Sequence, residues 1–139
     1  MEWQKQYEVG DAELDQEHRA LFEVVSILEE RAAKATSPPE LKALLARLIS
    51  YLRAHFRVEE RRMREAHFPD TQEHADEHTA FLQLLEGLEK ESLDVNRSAE
   101  VIGAASGWVK DHTLGSDHKL AHYLRATAHS NLKTNPSSA

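Results

Sequence analysis

Four stretches of the chain repeat apolar residues at three- and four-residue steps, the spacing that lines one face of a helix. In the first, Leu14, Leu21, Phe22, Val25 and Leu28 share a stripe with His18, and the pattern fades over residues 32–36. In the second, Leu41, Leu44, Leu45, Leu48, Leu52, Phe56 and Met63 share theirs with His55 and Glu59. The third carries His74, His78, Phe81, Leu82, Leu85 and Leu88 inward; the fourth, from about Ser98, carries Val101, Ala104, Ala105, Trp108 and His112. The boundaries are marked as well. Ser37-Pro38-Pro39-Glu40 reads as an N-cap, a proline at the first helical position and the acid of a capping box. The second helix must end before Pro69, because the residue ahead of a proline is pushed out of helical geometry. Asp70-Thr71-Gln72-Glu73 repeats the capping signal with Asp70 as cap, and polar residues 91–97 make the last connection. Ahead of the first helix, residues 1–10 read as an irregular arm with Trp3, Tyr7 and Val9 as its apolar contacts. The expected fold is all-α, an up-down-up-down antiparallel four-helix bundle. One domain spans residues 1–130, and a polar tail follows over 131–139.

Composition narrows the function classes. The chain has 139 residues, enough for one domain with one core. A formal net charge of -7 with no basic stripe argues against nucleic acid and anionic membranes as partners. The absence of cysteine excludes disulfides, thiolate metal sites and cysteine nucleophiles. The N-terminus begins polar, without the apolar segment of a signal peptide, and no run is long enough to span a bilayer, so the cytoplasm is the expected compartment. What stands out is nine histidines against two methionines and two tryptophans.

Five of those histidines and two carboxylates fall on the inward stripes: His18, His55, Glu59, His74, His78, His112 and Asp117. One such residue alone reads as a satisfied core side chain. Seven in a small bundle is a different case, because so many buried imidazoles and carboxylates need a shared charge to coordinate. Imidazole plus carboxylate without thiolate suits iron, manganese or zinc, and suits magnesium and calcium poorly. Seven donors exceed the four of a structural zinc, so two ions bridged by the two carboxylates is the economical arrangement. Two octahedral ions would offer about twelve positions; with one shared oxygen atom, a single position on one metal stays open. One difficulty remains. Five residues on a regular helix separate side chains by about 140°. His112 and Asp117 can both face the metals only where the helix distorts or ends, and Gly115 eases that. Glu60, next to Glu59, is expected to point elsewhere. His67, His118, His122 and His129 read as surface or satisfied polar side chains.

The chain resembles the hemerythrins, and specifically the bacterial hemerythrin domains. The resemblance runs from Trp3 to about Tyr123. It is carried by Trp3-x-x-x-Tyr7-x-Val9-Gly10, Leu14-Asp15-x-x-His18, His55-Phe56-x-x-Glu59-Glu60-x-x-Met63, Phe68-Pro69, His74-x-x-x-His78 and Trp108-x-x-x-His112-x-x-x-x-Asp117. It implies a non-haem di-iron centre that binds dioxygen reversibly, and no enzyme activity. By position, His74, His78 and His112 would hold a saturated iron, and His18 and His55 the iron with the open position. Glu59 and Asp117 would bridge them beside an oxo or hydroxo group. Leu21, Phe56, Trp108 and Thr113 would line the dioxygen pocket. Thr113 departs from the family, which commonly has a bulky aliphatic there.

Other readings exist. His74-Ala75-Asp76-Glu77-His78 matches the inverted zinc-protease motif with Glu77 as base, but that leaves the other five donors unexplained. A ferritin-like oxidase or peroxidase would need inward Glu-x-x-His pairs, which are missing. Storage or delivery of oxygen to an oxygen-consuming enzyme, by a monomer or weak oligomer, is the expected role. The alternative is an oxygen- or redox-sensing domain excised from a longer signalling protein; Met1 and a completed domain favour the carrier.

Overall fold

The computed structural model describes residues 2–34, 37–91 and 95–134. Helices α1 (Ala12–Lys34), α2 (Pro38–Glu65), α3 (Thr71–Lys90) and α4 (Val95–His112) form the bundle. A π-helical turn, Thr113–Asp117, continues α4 into α5 (His118–Thr134), so the fourth rod of the bundle is one interrupted helix. α2 packs against both α1 and α3, and α4 against α1 and α2. Among the described residues no strand forms, and no helix is long and apolar enough to cross a membrane.

Local chemistry sets the ends. The Ser37 hydroxyl accepts from the Glu40 amide at 3.4 Å, as the capping box requires. Asp70 behaves otherwise. It makes no side-chain cap and instead pairs with Lys119 at 2.6 Å, while the Thr71 hydroxyl donates to the Phe68 carbonyl. α2 closes on His67, whose φ of 53° is left-handed, and the Tyr123 hydroxyl donates to the carbonyls of Ala66 and His67. α4 begins at Val95, earlier than the expected Ser98, and helix runs to Thr134, so residues 131–134 are helical rather than tail. Residues 135–139 lie outside the described residues.

The arm is fixed by Asp15, whose carboxylate accepts from the amides of Val9 (2.7 Å) and Gly10 (3.2 Å). Gly10 has a φ of 88°, and the Arg125 guanidinium, which donates to the Val9 carbonyl, occupies the space a Cβ would need. Glycine is required there on both counts.

The apolar side chains gather in two clusters. The larger includes Leu21, Phe22, Leu48, Leu52, Phe56, Phe81 and Val109; the smaller is Val9, Leu14, Met63, Phe68, Leu120 and Ala121. Along every rod of the bundle, the candidate donors fall between a member of one cluster and a member of the other. A polar layer sits between two apolar ones.

Candidate metal centre

α1 contributes His18, α2 contributes His55 and Glu59, α3 contributes His74 and His78, and the end of α4 with its π turn contributes His112 and Asp117. All seven are buried, with His112 the most exposed at 7%. In a π turn residue i bonds to i+5, so His112 and Asp117 stack one above the other instead of diverging. The distortion anticipated between them is therefore this turn. Gly115 does not compel it: its φ is not positive, and a Cβ there would meet open space.

The donors form two groups, Glu59, His74, His78, His112 and Asp117 in one, and His18, His55, Glu59 and Asp117 in the other; within each group the donor atoms lie within 4.8 Å of one another. The two carboxylates belong to both. Glu59 Oε1 lies 2.7 Å from His55 Nε2, while its Oε2 lies 3.2 Å from His74 Nε2. Asp117 Oδ2 lies 3.0 Å from His18 Nε2, while its Oδ1 lies 3.1 Å from both His74 and His112 Nε2. Each carboxylate thus turns one oxygen to each histidine set.

Whether a metal pair fits can be judged from the lone pairs. His78 and His112 each donate from Nδ1 to an acidic oxygen 3.1 Å away, on Glu60 and Glu77 respectively. A carboxylate only accepts, so both Nδ1 atoms carry hydrogen and a neutral ring presents a bare lone pair at Nε2. Yet the Nε2 atoms of His74 and His78 both stand 3.0 Å from that of His112. Converging lone pairs repel unless a proton or a metal ion lies between them. Nitrogen ligands about 2.1 Å from an ion and at right angles are about 3.0 Å apart, whereas tetrahedral ligands are about 3.4 Å apart. The observed spacing matches the former. Moreover, both oxygens of Glu59 and of Asp117, and both nitrogens of His18, are buried without a hydrogen-bond partner. His18 Nε2 and Asp117 Oδ2 are close but not aligned as a hydrogen bond. Such orphans are costly in an apolar bundle and are resolved by coordination.

The protein without metal balances this layer with protons. Burial opposes charge on His18, but Asp117 and Glu59 beside it carry its pKa up to about 10, and the same forces carry His74 to about 10. Burial also opposes charge on His55, and Glu59 and Glu17 lift it to about 9. For His78 burial wins: despite the pull of Glu59, the neighbouring His112 and His74 help push it down to about 3. Burial would raise Glu59, but His55, with Asp117 and His18, holds it well below the usual carboxylate range. Asp117, which burial and Glu59 would raise, is held down to about 2 by His112.

The model of the hemerythrin HHE cation binding domain matches residues 9–124. The chain belongs to the hemerythrin family. Among its relatives, a myohemerythrin of Riftia pachyptila is 30% identical over 117 residues, covering 84% of this chain and 88% of that one. A myohemerythrin of Theromyzon tessulatum is 28% identical, covering 85% and 88%. A bacteriohemerythrin of Campylobacter jejuni is 30% identical, covering 79% and 84%. A hemerythrin domain implies a non-haem di-iron cofactor, and the donor set here is chemically suited to a metal pair.

Sequence reasoning missed the residues behind the candidate donors. Glu60 does not point away from the site; it accepts from His78 Nδ1. Glu77 is not placed as a base facing a substrate: one oxygen accepts from both His112 Nδ1 (3.1 Å) and the Ser116 hydroxyl (2.7 Å). Glu17 Oε2 lies 3.6 Å from His55 Nδ1, at ion-pair rather than hydrogen-bond range. The three share a signal. Each sits next in sequence to a donor on its own helix and backs the histidine of the following helix.

The expected pocket residues are placed as follows. Leu21, Phe56 and Thr113 are buried, Thr113 within the π turn, and Trp108 is half-buried. Phe56 stacks on His78 (3.8 Å between ring centres) and Trp108 stacks on His112 (4.5 Å) and on Phe81 (3.9 Å). Both aromatic rings therefore lie flat against the three-histidine set. Phe56 also has its ring centre 5.9 Å from that of His55.

Proposed function

We propose that this hemerythrin binds dioxygen reversibly at a di-iron centre, for storage or for delivery to an oxygen-consuming enzyme. His74, His78 and His112 would hold one iron and His18 and His55 the other, with Glu59 and Asp117 shared between the two. The iron pair, when bound, supplies an open coordination position and the electrons that dioxygen needs. The chain's own residues do the rest. Glu60 and Glu77 fix the tautomer and tilt of His78 and His112, so the donors are in place before metal arrives. Leu21, Phe56 and Trp108 keep water from the layer, which suppresses proton delivery and with it irreversible oxidation. Thr113 puts the one hydroxyl of this set into that wall.

What supports the reading most is the division of Glu59 and Asp117, one oxygen toward each histidine set. The relatives' names, myohemerythrin and bacteriohemerythrin, point to the same family of oxygen binders rather than to an enzyme. The test is iron content together with an optical spectrum of the reduced protein before and after air. About two irons per chain and a visible band that vanishes on deoxygenation are expected. Zinc in place of iron, with no colour, overturns the reading.

A further inference from the structure

Glu77 stands in the second turn of α3, its side chain 48% exposed, and is outside both donor groups. A single oxygen of its carboxylate accepts from His112 Nδ1 at 3.1 Å and from Ser116 Oγ at 2.7 Å. His112 is the last residue of α4, and Ser116 lies within the π turn that follows. One acceptor on a neighbouring helix therefore holds the distorted segment at two points, and the residue after Ser116 is Asp117. A π turn is normally unstable against the ordinary helix on either side of it. If this one relaxed to regular helix, Asp117 would rotate away from His112 by about 140°, taking with it the oxygens that face His18 and His74. Gly115 does not impose the turn, as its open surroundings and ordinary φ show. Some contact outside the rod has to.

We infer that Glu77 is a positioning residue: it clasps His112 and Ser116 together and thereby keeps the π turn wound and Asp117 aimed into the donor layer. This rests on the metal reading above for its functional consequence, but not for its structural one. The clasp also explains the choice of a carboxylate. Its charge strengthens the hydrogen bond from His112 Nδ1 and makes Nε2 a better donor, while its acceptor capacity takes the Ser116 hydroxyl at the same oxygen.

The two roles separate by substitution. Because Glu77 is half-exposed on a long helix, Glu77→Ala should leave the bundle folded, which far-ultraviolet dichroism checks; Ser116→Ala breaks one arm only. The readouts are amide hydrogen exchange across residues 112–118 and loss of ferrous iron, under nitrogen, to a chromophoric chelator. Glu77→Ala is expected to speed both, iron loss by about tenfold to a hundredfold. Ser116→Ala should speed exchange in the turn with a smaller change in iron loss. Glu77→Gln, which keeps an acceptor oxygen but no charge, should restore slow exchange while iron loss stays faster than wild type. Wild-type exchange in Glu77→Ala overturns the inference, and so does a Glu77→Gln variant whose turn exchanges as fast as that of Glu77→Ala. Failure of the wild type to take up iron would sink the di-iron reading alone, since exchange in the metal-free protein still judges the clasp.

Discussion

On the three-histidine side of the layer, His78 and His112 each donate from Nδ1 to a carboxylate 3.1 Å away and lie flat beneath Phe56 and Trp108. On the two-histidine side the backing is weaker. His55 Nδ1 is 3.6 Å from Glu17, and His18 Nδ1 has no hydrogen-bond partner among the described residues. A hydrogen-bonded Nδ1 fixes the ring's orientation and raises the basicity of the other nitrogen. The rings of His78 and His112 are therefore fixed through Nδ1, whereas those of His18 and His55 are not. That difference suits a site in which one metal position is structural and its neighbour exchanges a ligand.

The comparison breaks most completely where the two sides are joined. Glu59→Gln keeps the volume of the bridge but offers one ligating oxygen instead of two. Metal content after loading should fall from about two ions per chain to about one, retained by the three imidazoles and Asp117. Two ions held as tightly as in wild type would show that the sides do not depend on a shared carboxylate.

Proton release gives the next largest effect. In the metal-free protein His18 and His74 have pKa values raised from 6.5 to about 10. A raised folded pKa contributes stability that is fully present below 6.5 and is lost as pH rises through about 10. Asp117, lowered from 3.8 to about 2, contributes stability present above 3.8 and lost as pH falls through about 2. Thermal melts of the metal-free protein should thus peak between those limits and decline toward alkaline pH. Metal reverses the alkaline arm, because the imidazoles must shed their protons to coordinate. With three protons released, from His18, His55 and His74, zinc affinity should rise by about a thousandfold per pH unit below about 9. An indicator dye in weak buffer would count the protons. His78, already pushed down to about 3, has none to lose; zinc uptake without acidification would contradict the scheme.

A smaller effect sharpens the contrast directly. Glu60→Gln weakens a formed hydrogen bond to His78, whereas Glu17→Gln alters a contact too long to be one. Iron loss to a chelator should accelerate by about tenfold in the first and by less in the second. Equal acceleration would mean that the longer contact matters as much, and that the two sides are backed alike.

Much of this layer was legible in the sequence because helical periodicity alone puts His18, His55, Glu59, His74, His78 and His112 on inward stripes. Their neighbours were not legible for a geometric reason. Glu17, Glu60 and Glu77 each follow or precede a donor by one residue, which turns them about 100° from it. Whether that direction meets water or the ring edge of the next helix depends on helix spacing, which no single-chain pattern encodes. The π turn was half legible: the spacing of His112 and Asp117 demanded a distortion, but not which one. Asp70 carried a capping signal that its ion pair with Lys119 overrode. Ala104, read as inward, is exposed and lines an apolar groove between α3 and α4 with Leu84 and Trp108. Small residues satisfy an inward pattern without requiring burial.

Thr113 tests the proposed dioxygen pocket at its finest grain. It is buried at 1% exposure and sits in the π turn, directly after His112. In the proposed dioxygen pocket it would add a hydroxyl to a wall of Leu21, Phe56 and Trp108. A hydroxyl near an oxygen-binding position can hold a water or donate a proton, and either one promotes release of reduced oxygen and oxidation of the metals. Thr113→Ile keeps the β-branch, which the turn already accommodates, and replaces the hydroxyl with an ethyl group. The oxygenated form of that variant should decay more slowly, by about threefold to tenfold, corresponding to about 1 kcal/mol in the barrier. The check is the decay of the visible band in air-equilibrated buffer, with iron content measured in parallel to exclude metal loss. Because the ethyl group also adds volume, Thr113→Val serves as the near-isosteric control. Val slowing the decay as much as Ile assigns the effect to the hydroxyl; both matching wild type removes Thr113 from the oxygen site and leaves it a packing residue of the π turn.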